Sequence, residues 1–113
     1  MNLNKFIIIG RIGKKPTLSK TKGGDSYCVL MVITNTNFID SNKISRSNSD
    51  AHYINFFSKN AINLCKFSEV GQSILVIGKI KRRKNEIRRE ETVLYGEKYQ
   101  PSEKEGRVSI LNS

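Results

Sequence analysis

The sequence predicts an all-β fold, a small five-stranded barrel with one short helix between its third and fourth strands. Three observations carry that expectation. Five runs rich in β-branched and aromatic residues are separated by polar connections. Residues 58–68 instead space their apolar side chains at the helical period. Gly10 and Gly78 stand inside two of the strand-like runs, where a barrel needs a bulge or a close approach between backbones. A chain of 113 residues makes one domain with one modest core.

The elements follow in order. Residues 3–12 form the first strand, and the unbroken apolar centre from Phe6 to Ile9 predicts burial on both faces. Residues 13–24 are a polar connection with Pro16 and a Gly23-Gly24 turn. The second strand, 25–35, puts Tyr27, Val29, Met31 and Ile33 on one side, and Cys28, Leu30, Val32 and Thr34 on the other. Residues 36–50 are too many for a tight turn and too polar for a core, so they read as a protruding loop or a hairpin arm. The third strand is 51–57. The helix then carries Ala61, Ile62, Leu64, Cys65 and Phe67 on its apolar side, with Ser58 as its cap and Val70-Gly71 as its end. The fourth strand, 72–81, leads into a charged run, 79–91, with seven Lys or Arg and three Glu. Residues 92–99 are a fifth, weaker strand. Residues 1–100 are thus the expected domain and 101–113 a short polar tail in which Val108, Ile110 and Leu111 could dock. Strand, strand, strand, helix, strand, strand is the order of an oligonucleotide-binding (OB) fold. The pattern alone also accommodates an open sheet with one helix.

Charge narrows the function. There are 20 Lys and Arg against 10 Asp and Glu, a net charge of +10, which calls for an anionic partner. A membrane is disfavoured, because the longest apolar run is Phe6-Ile7-Ile8-Ile9, against the ~20 residues needed to span a bilayer. That run is also too short for a signal peptide, and Arg11, Lys14 and Lys15 follow at once. The expected location is the cytoplasm, nucleoid-associated, or an organelle matrix. Cys28 and Cys65 lie far apart with no Cys or His at ligand spacing, which predicts reduced thiols and no metal or other cofactor. No nucleophile elbow, phosphate loop or paired carboxylates appear, so a binding role is expected rather than an enzyme.

Three segments carry a family resemblance. They are Leu3-Asn-Lys-Phe-Ile-Ile-Ile-Gly-Arg-Ile-Gly13 with Pro16 after it, His52-Tyr-Ile-Asn-Phe-Phe-Ser-Lys-Asn-Ala61, and Val70-Gly-Gln-Ser-Ile-Leu-Val-Ile-Gly-Lys-Ile-Lys-Arg-Arg-Lys84. In this order, over roughly residues 2–100, they resemble the bacterial-type single-stranded DNA-binding proteins. The resemblance implies an OB barrel that binds single-stranded DNA, as a homotetramer or a dimer of similar barrels, in replication, recombination and repair. It also implies contacts with replication proteins, and places His52 and the first strand near subunit contacts. The chain departs from the family in having no Trp. Phe38 stands at the family's loop Trp position, whereas Ala51 and Asn85 stand where two other stacking residues would be. The family's acidic-tipped tail has no counterpart in the last residues, which predicts a truncated or specialised member. A primosomal replication protein, a protein–protein adaptor on the same barrel and an RNA binder are the alternatives.

Single strands are held by a positive groove along the phosphates and by aromatic faces on unpaired bases. The basic run Lys79, Lys81, Arg82, Arg83 and Lys84 is the expected phosphate site, because like charges so crowded are disfavoured without an anion. Phe38, in a polar loop, is a stacking candidate. Phe56 and Phe57 point to opposite faces, and the resemblance selects Phe57 for binding. Tyr53 shares Phe57's face and is either a stacking residue or a core tyrosine. Lys43 and Lys59 match basic positions in the resemblance.

Overall fold

The computed structural model describes residues 1–101. Of the expected tail, 101–113, Pro101 is the last residue of β6, and 102–113 lie outside the described residues. Six strands and one helix occur, in the order β1 (Phe6–Lys14), β2 (Ser19–Lys20), β3 (Ser26–Ile39), β4 (Ser45–Phe57), α1 (Ser58–Phe67), β5 (Ser73–Lys84) and β6 (Glu90–Pro101). The sheet runs β1-β5-β6-β4-β3-β2, and pairing of β1 with β3 closes five of these strands into a barrel. The two-residue β2 is an addition within the connection read as irregular. It pairs Ser19 with Tyr27 and Lys20 with Ser26. β4 and β6 run parallel, Ile54 beside Leu94 and Asn55 beside Tyr95, whereas the other pairs are antiparallel.

Alternation along each strand fills the barrel. Ile12, Cys28, Leu30, Val32, Ile54, Phe56, Ile74 and Val76 point inward and are essentially inaccessible. Phe56 meets Tyr99 edge-on, ring centroids 5.7 Å apart. The helix closes one end, burying Ala61 and Leu64. Gly10 lies where β1 leaves β5 and crosses to β3. A Cβ there would stand 2.3 Å from the carbonyl oxygen of Ile33, so the close approach between strands is the reason for glycine. The ladder irregularity expected near Gly78 is present, between Ile77 and Gly78.

Several sequence expectations are corrected. β1 is not buried on both faces: Ile7 and Ile9 are 66% and 57% exposed, because nothing among the described residues covers the outer side of that strand. Of the two readings of residues 36–50, the hairpin arm is the one formed, with β3 and β4 in unbroken register from Tyr27↔Phe57 to Ile39↔Ser45. The charged run, 79–91, spans the end of β5, the turn at 85–89 and the start of β6. Ser58 is not the cap. β4 runs straight into the helix, Phe57 takes the cap position without a side-chain bond, and Ser58 makes the turn itself at φ 56°. The helix also ends before Val70-Gly71, at Phe67. There Ser68 donates its amide and its hydroxyl to the Leu64 carbonyl. No helix among the described residues is long and apolar enough to cross a membrane.

Candidate nucleic-acid interface

Outward-pointing side chains of β3, β4 and β6 assemble an aromatic file on the barrel wall. Tyr27 and Phe57 face each other across the β3–β4 ladder, ring centroids 6.2 Å apart. Phe57 stacks on Tyr95 of β6 at 5.6 Å with 17° between the planes. Lys81 of β5 sets its ammonium 5.4 Å from the Tyr95 ring centroid, a cation–π contact. Phe57 keeps 37% of its surface open to solvent. A groove beside the file is lined by Lys20, Thr21, Lys22, Tyr27, Val29, Asn55, Phe57 and Arg83. This surface offers aromatic faces and cations together, the pair of devices that hold single-stranded nucleic acid.

The residues expected to bind are only partly gathered there. Phe57 and Arg83 line the groove, and Lys81 borders it. Tyr53 is 58% exposed, which decides against a core role, and sits in an adjoining hollow with Met31 and Val29. Phe38 lies out on the hairpin arm, exposed, opposite Arg46. Lys43 is at the arm's tip, in the left-handed region at φ 61°. Lys59 belongs to the first turn of the helix. None of these three lines either hollow.

Most of the basic run already has anions. Arg82 meets Glu90 and Arg83 meets Glu91, each at 3.1 Å, and Lys79 lies 3.8 Å from Glu97, which also pairs with Lys5. The Glu91 bond raises Arg83 above its ordinary value and keeps it charged. The premise that such crowding requires an external anion is therefore corrected: the hairpin places three glutamates across the ladder. Lys84 is exposed and has no such partner among the described residues. Tyr27, Tyr95, Lys20 and Lys22 went unread in the sequence. Tyr27 had a signal, the outward side it shares with Val29 and Met31. Tyr95 had none, because only the parallel pairing of β4 with β6 brings it to Phe57.

A model of the single-strand binding protein family matches residues 3–101. The chain belongs to that family. Single-stranded DNA-binding proteins of Neisseria meningitidis, serogroup A (strain Z2491) and serogroup B (strain MC58), are each 30% identical over 84 residues. Those matches take in 74% of this chain and 48% of theirs, so the chain spans about half the length of these relatives. A Plasmodium falciparum SSB in complex with ssDNA superposes with TM-score 0.74 at 25% identity, over 91% of this chain and 97% of that one. A deletion mutant of the single-stranded DNA binding protein from Thermus aquaticus shares the fold, with TM-score 0.79 at 24% identity over 95% of this chain and 54% of its own.

Within the single-strand binding family's frame, the two missing platforms have a structural account. Asn85 closes the β5–β6 turn. Its side-chain oxygen accepts from the amides of Ile87 and Arg89, each at 3.1 Å, a task for a short polar residue. Ala51 is exposed on β4 opposite Ile33, where it offers no ring. The aromatic surface of this member is concentrated instead at Tyr27, Phe57 and Tyr95. His52, expected near a subunit contact, shares a 2.9 Å hydrogen bond with Thr34 across the ladder. Among the described residues no cluster of three His, Cys, Asp or Glu could hold a metal.

Proposed function

We propose that this protein binds single-stranded DNA without sequence preference, as a non-catalytic partner of DNA in replication, recombination or repair. The observation that carries the reading is the file Tyr27, Phe57 and Tyr95 on the outer barrel wall, edged by Lys20, Lys22 and Arg83. Every base has a face that can stack on such a file, so binding tolerates any sequence. A duplex keeps its base faces stacked on each other and has none to offer the rings. The family's name, the Neisseria relatives' names and the ssDNA in the Plasmodium complex support the same ligand.

The proposed working form is a homo-oligomer, a tetramer or a dimer, supported by the bare apolar outer side of β1 at Ile7 and Ile9. Replication proteins are proposed further partners. The proposed setting is wherever the DNA is copied, the bacterial nucleoid or an organelle matrix. Fluorescence anisotropy tests the central reading, since the chain has no Trp to follow by quenching. Labelled single-stranded DNA, duplex DNA and single-stranded RNA of equal length are titrated at two salt concentrations. Tightest binding to single-stranded DNA is expected. Equal, salt-labile binding to all three would reduce the molecule to a basic surface and overturn the reading.

A further inference from the structure

We propose that the chain beyond Pro101 turns back and seats Val108, Ile110 and Leu111 in an apolar hollow between the end of α1 and the last rung of the β5–β6 ladder. The hollow shares no lining residue with the groove at the aromatic file or with the hollow at Tyr53. The inference therefore goes beyond the single-strand reading and stands without it.

The hollow lies where the helix closes the barrel. Its floor is the core itself: Ile12, Leu64 and Ile74 line it and are otherwise almost wholly buried. Phe67 and Tyr99 add two rings to its walls. Phe67 is the last residue of α1 and is 73% exposed, an apolar ring left in water at the rim. One of the polar groups there is already engaged, since the Ser68 hydroxyl donates to the Leu64 carbonyl. The volume is about 350 Å³, near the lower end for ligand pockets. Such a space suits a few aliphatic side chains rather than a folded partner.

The course of the chain selects the occupant. Pro101 pairs with Ile74 across the β5–β6 ladder and lines the hollow, so the chain leaves the barrel at its lip. Among residues 102–113 the large apolar side chains are Val108, Ile110 and Leu111. The stretch before them is a polar spacer in which Glu103 and Glu105 balance Lys104 and Arg107. From Pro101 to Val108 the chain can span at most ~25 Å, ample for a return to the lip it left. A tether this short holds the apolar segment at an effective concentration on the order of millimolar. A separate partner must reach that level in solution to compete. Seating the three side chains removes them and the Phe67 ring from water together.

The test reads proximity in the full chain. Methyl groups of Val, Ile and Leu and the aromatic rings are isotope-labelled, and nuclear Overhauser effects are recorded. Cross-peaks from the Val108, Ile110 and Leu111 methyls to the Phe67 and Tyr99 rings are expected. A mixed sample, with methyls labelled on one set of copies and rings on the other, is expected to lack them. Variant V108S/I110S/L111S leaves every described residue as it is. It is expected to lower Tm by roughly 4–8 °C and to speed amide exchange at residues 63–72 about fivefold. Absent methyl-to-ring cross-peaks would overturn the inference. Cross-peaks that persist in the mixed sample would overturn it too, because a second copy would then fill the hollow. A triple variant with the wild-type Tm and exchange would do the same. None of these results touches the single-strand reading, which falls only if the wild-type protein ignores single-stranded DNA.

Discussion

Phe57 lies between two tyrosines, and its role follows from that position. It stacks on Tyr95 and leans against Tyr27, so the three rings form one surface rather than isolated anchors. Phe57→Ala opens the middle of the file and Tyr95→Ala removes one end. Each is expected to cost about 1–3 kcal/mol of binding to single-stranded DNA, with the salt slope unchanged, because stacking releases no counterions. Anisotropy across a salt series reads both quantities. Cys28 makes a different case. Burial, with the Cys65 thiol beside it, pushes Cys28 from 9.0 up to about 12. A thiol that ionises later folded than unfolded stabilises the fold fully below its unfolded value, and this support fades as pH rises from about 9 toward 12. Tyr99, raised first by burial, acts in the same direction. Denaturant midpoints should therefore fall above about pH 9, and fall less steeply in Cys28→Ala. An equally steep decline in that variant would exclude the thiol as a cause.

At the scale of elements, the β3–β4 arm shows how a polar segment becomes ordered. Its residues 36–50 have almost nothing to bury, so the ladder and the tip must hold them. Asp40 organises the tip, accepting from the amides of Asn42 and Ile44 at 2.9 and 3.0 Å and from Arg46 at 2.7 Å. The Arg46 bond, with those amides, holds the Asp40 carboxyl below the usual carboxylate range. Its contribution is therefore present above the ordinary aspartate pKa and is lost as pH falls through the lowered folded value. Hydrogen exchange at residues 41–46 should speed up in Asp40→Asn at neutral pH and match the wild type in strong acid. An arm whose exchange ignores the substitution would mean that the ladder alone suffices. The β5–β6 hairpin is built on the same logic, with Asn85 at its turn and Arg–Glu pairs along its rungs. Such exposed pairs stabilise little.

At the scale of the molecule, closure of the barrel governs stability and the exposed outer side of β1 is the surface of the proposed assembly. Gly10→Ala would put a methyl group 2.3 Å from the Ile33 carbonyl at the crossing of β1 from β5 to β3. The strands must part, at an expected cost of about 1–3 kcal/mol or more. For a domain of this size that lowers Tm by roughly 4–8 °C per kcal/mol, which a thermal melt resolves. Ile7 and Ile9 are the other lever. Replacing both by Glu leaves the core untouched and should convert an oligomer to monomers by light scattering. A wild-type protein already monomeric at working concentration would remove the proposed assembly.

What the sequence determined by itself was local. Period-two alternation located the core faces of the strands, the helical spacing of Ala61, Ile62, Leu64 and Cys65 located the one helix, and three segments in order pointed to the family. It also named Phe57 and Arg83, both of which line the groove, and the adjacency of Phe56 and Phe57 divided one ring to the core and one to the surface. What only the tertiary structure decided was which distant residues meet. Tyr95 reaches Phe57 through a parallel pairing, and Glu90 and Glu91 pair with Arg82 and Arg83 across a hairpin. The physical reason is that burial leaves a periodic mark along the chain, whereas electrostatic pairing and ring stacking depend on register between strands. That register is settled only when the barrel closes.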